Sequence, residues 1–161
     1  MWTLGEFNTL DAGMVAGGLT ACCASTPWVE KVTAGRPYGS VASLLSAASA
    51  AFDELDESEL AVAHAAHPRI GEPASNAWSR REQSRAMTGD DAVRAALRAA
   101  NEAYEHKFGR VFLIRATGRT AEEILAEARR RLDNDYEAES IEAAAQLRAI
   151  VMLRLGRAVR A

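Results

Sequence analysis

Residues 136–159 constrain the fold more than any other stretch of the chain. Ile141, Ala144, Leu147, Ile150, Val151 and Leu155 recur at the three- and four-residue spacing of a helix with one broad apolar face. An apolar face of that extent has to be covered by other elements. The upstream sequence supplies further helices rather than strands. Ser40 is a good N-cap for a stripe at 41, 44, 45, 48 and 52, and Asp56 to His67 repeats the pattern with Leu60, Ala63 and Ala66 until Pro68 ends it. Abundant alanine, few aromatics and many Glu, Arg and Leu residues agree with this pattern. The expectation is an all-α fold, a single-domain helical bundle of about seven to nine helices spanning residues 1–161.

The remaining segments fit the same plan. Phe7, Leu10, Met14, Val15 and Leu19 have helical spacing, weakened by Asp11 and Gly17-Gly18, which predicts one or two short helices. Thr26-Pro27-Trp28 opens another segment, with Trp28 as a core anchor, and Gly35 to Gly39 closes it as a turn-rich loop. Ser79-Arg80-Arg81-Glu82 and Thr120-Ala121-Glu122-Glu123 have the form of capping boxes. Between them, Thr88 to Asp91 caps a stripe through Val93, Leu97, Ala100, Tyr104 and Phe108 that Gly109 can end. The helix after Thr120 turns Ile124, Leu125, Ala128 and Leu132 inward. Val111 to Arg115 is short, apolar and without a second strand to pair with, and reads as a buried extended segment.

Several function classes are excluded at this level. A net charge of −3 lacks the cationic excess of a phosphate-binding surface, so no nucleic-acid partner is expected. Arg129 to Arg131 falls at a helix end, where cations complement the dipole and stay solvated. Cys22 and Cys23 are adjacent, unsuited to pairing with each other or to metal-site spacing, and read as buried filler in a reducing compartment. No apolar run approaches the roughly twenty residues of a membrane span, and no secretory pattern opens the chain. With no Ser-Lys-Leu ending, a cytoplasmic setting is expected.

The chemistry-bearing residues converge on 64–83. His67 precedes Pro68, whose ring pushes the preceding backbone out of the helical region, so the imidazole projects from a stiff corner. It reads equally as a dipole cap at a helix C-terminus. Glu82 follows fifteen residues on and is available for proton transfer, or for the ordinary duty of a capping box. His64 lies one turn before His67, but a two-His metal site lacks a third ligand at recognisable spacing, so no metal is expected. Arg148 and Arg154 both fall within the apolar face of the last helix. Each needs an anionic partner or a path to water, and such an arginine can hold a substrate carboxylate bidentately.

The strings HPRIGE at 67–72, SxxEQ at 79–83, NxxYxxKFG at 101–109 followed by FLI, RLxN at 131–134 and IxxLRL around 150–155 together resemble the OHCU decarboxylase family. Phe7-Asn8, Ser25 to Trp28 and Arg36-Pro37-Tyr38 extend the resemblance over nearly the whole chain. It implies an all-helical homodimer that works without cofactor or metal. The implied reaction converts 2-oxo-4-hydroxy-4-carboxy-5-ureidoimidazoline to (S)-allantoin and carbon dioxide, the step of urate breakdown after 5-hydroxyisourate hydrolysis. Carried over by motif, the catalytic histidine falls on His67, the glutamate on Glu82, and the C-terminal arginine on Arg154 more naturally than Arg148. Pro68, Ser79, Gln83 and the backbone of Phe112, Leu113, Ile114 and Arg115 match the substrate-lining parts. Two departures are a shorter loop between the His-Pro and Ser-x-x-Glu motifs, and Arg115 where a small residue is common.

Overall fold

The computed structural model describes residues 1–71, 80, 81, 84 and 90–161. Among these residues the fold is all-helical, as expected. Its helices are α1 Leu4–Thr9, α2 Ala12–Cys22, α3 Thr26–Ala34, α4 Val41–Asp53, α5 Glu57–Ala65, α6 Asp91–Phe108, α7 Ala121–Leu132 and α8 Tyr136–Ala158. Two short strands, β1 Trp2–Thr3 and β2 Val159–Arg160, pair in parallel with Trp2 opposite Val159. The helix that the Ser79 box was expected to open lies largely outside the described residues, although Arg80 and Arg81 are helical. The chain forms two compact units, Met1–Ala63 with Arg148–Ala161, and His64–Leu147.

In the first unit, helix starts follow side-chain caps. Thr3, Asp11, Ser25 and Ser40 each accept a hydrogen bond from an amide of the following turn, satisfying donors that a helix start leaves over. Trp28 is fully buried and its Nε1 donates to the Ala48 carbonyl at 2.9 Å, so the anchor read from sequence also joins α3 to α4. Arg36 closes the end of α1, with Nη1 donating to the carbonyls of Phe7 at 2.9 Å and Leu10 at 2.8 Å. Asn8 and Tyr38 exchange two bonds of 2.9 Å through amide and backbone. Cys22 and Cys23 are buried free thiols, and burial pushes the Cys23 thiol up to about 11.

In the second unit, α6 and α7 pack around Leu97, Tyr104, Phe108, Phe112, Ile114, Ile124 and Ala128. Tyr104 meets Phe112 edge-on at 5.3 Å between ring centres. Residues 111–116 are neither helix nor strand, and Phe112, Leu113 and Ile114 are fully buried, as the sequence suggested. Gly109 ends α6 with φ of +69°, a left-handed cap that glycine adopts without strain.

Four expectations are corrected. Arg131 is not a solvated helix-end cation. It is fully buried and paired with the equally buried Glu139. Ile141 is 69% exposed, because the buried stripe of α8 runs through Ala143, Leu147, Ile150, Val151, Leu155 and Ala158, and a residue two before Ala143 points about 160° away from it. Arg148 likewise lies outside that stripe and is exposed. Helix α5 stops at Ala65 rather than His67, leaving Ala66 exposed.

Candidate active site

His67 lies two residues beyond the end of α5 and is buried. Its amide donates to the His64 carbonyl at 3.1 Å, a turn that replaces the helical bond as Pro68 approaches. The backbone on both sides is tied down. Upstream, His64 Nε2 contacts the Val111 carbonyl at 2.5 Å. A carbonyl only accepts, so Nε2 carries the proton in this contact. Burial of His64 lowers its pKa below the ordinary value, favouring the neutral ring. Among the described residues, no group of three or more His, Cys, Asp or Glu side chains is placed to hold a metal ion.

Downstream, Arg69 reaches α6 in a fork: Nε and Nη2 each donate to Glu105 at 2.6 Å. Asn101 Nδ2, also on α6, donates to the Ile70 carbonyl at 2.9 Å. Gly71 then turns with φ of +88°. The HPRI string is thus bound to α6 at two successive residues, with half-buried Pro68 between those ties and His67. A histidine mounted this way keeps its position without a helix beneath it.

The segment after α6 is held as firmly. Arg131 Nη1 donates to the Leu113 carbonyl at 2.6 Å, and its guanidinium lies 4.7 Å from the Phe112 ring centre. Arg131 Nε donates to Glu139 at 2.9 Å, Tyr104 Oη donates to the same carboxylate, and Asn134 Nδ2 adds a bond of 2.9 Å. Desolvation and the Glu139 bond push the Tyr104 hydroxyl far above its usual range, so it stays a proton donor to Glu139. Arg115 itself is exposed, and its amide donates to Gln146 Oε1 at 3.0 Å.

The two arginines of α8 separate cleanly. Arg148 forms an exposed ion pair with Asp53 at 3.0 Å. Arg154 is buried in the first unit, where Nη1 approaches the Ala21 carbonyl, one of the last in α2, at 3.4 Å. Ser79, Glu82 and Gln83 lie outside the described residues.

The OHCU decarboxylase family model matches residues 8–156. The chain belongs to the OHCU decarboxylase family. A 2-oxo-4-hydroxy-4-carboxy-5-ureidoimidazoline decarboxylase of Haloferax volcanii is 26% identical over 157 residues, covering 95% of this chain and 94% of that protein. The uric acid degradation bifunctional protein TTL of Arabidopsis thaliana is 29% identical over 144 residues, 84% of this chain, and the match spans only 44% of that longer protein. A crystal structure of OHCU decarboxylase in the presence of (S)-allantoin superposes with a TM-score of 0.78 at 28% identity, covering 86% of this chain and 94% of the other.

The structure gives several residues hydrogen-bonding duties that the sequence reading did not assign to them. Asn101, Tyr104, Arg131 and Asn134 all stood inside the NxxY and RLxN strings. The structure joins Asn101 to the His-Pro corner and gathers the other three around Glu139. Glu139 stands four residues before Ala143 and eight before Leu147, on the buried stripe of α8 whose phase the structure reveals.

Proposed function

We propose that this chain decarboxylates 2-oxo-4-hydroxy-4-carboxy-5-ureidoimidazoline to (S)-allantoin and carbon dioxide in urate catabolism. The observation that carries the reading is the family match across residues 8–156, which takes in the His-Pro corner, the FLI segment and the C-terminal arginine. In this substrate the leaving carboxylate sits on a carbon that also bears a hydroxyl and adjoins a C=N bond. The electron pair of the breaking C–C bond flows into that imine, so no pyridoxal or thiamine sink is required. Loss of the hydroxyl proton then makes the carbonyl of the product, and a proton added to the ureido-bearing carbon sets its stereocentre.

His67 takes the hydroxyl proton in this scheme, Glu82 binds the ureido or ring nitrogens and assists reprotonation, and Arg154 holds the anionic part of the substrate. Pro68, Ser79, Gln83 and the backbone of Phe112 to Arg115 line the site. The burial of Arg154, against the surface pairing of Arg148 with Asp53, supports Arg154 in that role. We read residues 1–161 as one OHCU decarboxylase-like domain that acts as a cytoplasmic homodimer without cofactor or metal.

The test is to generate the substrate in situ from urate and follow its disappearance. The wild-type protein is expected to accelerate decay over the uncatalysed rate, and His67→Gln to lose about a hundredfold or more of that rate, in the range assigned to a general acid–base group. An undiminished His67→Gln would remove His67 from the mechanism, and no acceleration by wild type would remove the activity.

A further inference from the structure

Residues 69, 70 and 71 run along α6 one helical turn at a time. The Arg69 fork reaches Glu105, the Ile70 carbonyl accepts from Asn101 Nδ2 at 2.9 Å, and a Cβ built on Gly71 would stand 3.3 Å from Leu97 Cδ2. Leu97, Asn101 and Glu105 are spaced by four, so all three lie on one face of α6. Residues 67–70 belong to neither helix nor strand. The His67 amide bond to His64 holds the corner from upstream, and side chains of α6 hold it from downstream.

Asn101 is a poor choice for stability alone. It is 3% exposed, between Leu97 and Tyr104 of the apolar cluster that Ile70 also joins. Its Nδ2 is used, but its Oδ1 meets no donor among the described residues, and a buried acceptor without a donor is destabilising. A leucine here would lose the Ile70 bond and remove the unmet oxygen together, so the two effects oppose each other. What leucine does not supply is a fixed direction for the Ile70 carbonyl. A polar group kept where an apolar one would fold as well points to a constraint other than folding. Glu105 differs in setting. Its pair with Arg69 is partly exposed, where ion pairs contribute little to folding, yet two parallel N–H···O bonds fix an orientation.

We propose that Asn101 and Glu105 are positioning residues for His67: from one face of α6 they fix the backbone that carries the imidazole. The inference rests on the functional reading above, in which His67 takes the hydroxyl proton. Two ties four residues apart on a helix fix the direction of the 69–71 backbone as well as its place. Pro68, whose ring fixes φ, carries that direction back to His67. Proton transfer needs the imidazole within hydrogen-bond reach of the proton it takes. A corner that wanders therefore lowers kcat, while substrate binding through other groups stays nearly unchanged.

The experiment compares wild type, Asn101→Leu and Glu105→Ala, with substrate formed in situ from urate. It reads kcat, KM, the thermal midpoint and hydrogen exchange of the peptide covering residues 66–71. Both variants are expected to keep the wild-type midpoint and to exchange faster at 66–71 and nowhere else. The kcat should fall about tenfold in Asn101→Leu and less in Glu105→Ala, with KM within about twofold of wild type. Wild-type kcat in both variants overturns the proposal, as does wild-type exchange at 66–71. A fall in midpoint that accompanies the loss of rate in both variants also overturns it, by showing a purely structural role. If Asn101→Leu does not fold, Glu105→Ala decides alone, since its pair is partly exposed. No acceleration by wild type removes the functional reading itself, whereas a wild type that accelerates beside variants with its own kcat removes this inference only.

Discussion

A guanidinium without exposure is tolerated at Arg131 because its nitrogens are engaged on several sides by the Glu139 carboxylate and the Leu113 carbonyl, with the Phe112 ring against its plane. Such a pair adds little net stability over apolar residues of the same volume, but removing one member strands the other charge. Arg131→Met or Glu139→Leu alone is therefore expected to cost about 3–5 kcal/mol in urea unfolding, and the double variant to recover much of the loss. Full additivity of the two single losses would contradict the pairing. His64 carries a different signature. Its folded pKa lies below the ordinary 6.5, so below that pH the unfolded chain binds the extra proton first. The stability linked to neutral His64 is present above pH 6.5 and is lost as pH falls through the window beneath it. Unfolding measured between pH 7.5 and 5 should show this slope, and His64→Gln, which keeps an N–H donor for Val111, should flatten it.

Elements were legible in the sequence wherever a cap and a period agreed. Ser40, Asp90 and Thr120 start α4, α6 and α7, and Gly109 ends α6, because each of these choices satisfies a backbone group within one turn. The left-handed cap, with φ of +69°, predicts that Gly109→Ala costs about 1–2 kcal/mol in the same unfolding assay. Period alone was less reliable. Ile141 fits a three-residue step to Ala144, yet the buried stripe of α8 is set by what Ala143, Leu147 and Glu139 pack against, which only tertiary contacts decide. The same holds for Arg131. A charge three residues beyond Ala128 on the inward face of α7 looks like a helix-end cation until Glu139, on another helix, supplies its partner. His67 was legible as a corner because Pro68 acts locally. The ties that fix that corner, Arg69 to Glu105 and Asn101 to Ile70, span more than thirty positions and have no local trace.

At the scale of the molecule, the matched 8–156 span takes in all of the second compact unit and most of the first, with Arg154 belonging to the first and His67 with the 111–115 segment to the second. The family strings were readable over nearly the whole chain, and several of them contain side chains that hold backbone in place, as Asn101 does at Ile70 and Arg131 at Leu113. The proposed decarboxylation requires protonation on one face of the substrate, and the chirality of the product reads that selection. With substrate formed in situ from urate, circular dichroism should show allantoin accumulating as the (S)-enantiomer at a rate that scales with protein concentration. A racemic product forming at the same rate with and without the protein would contradict the account.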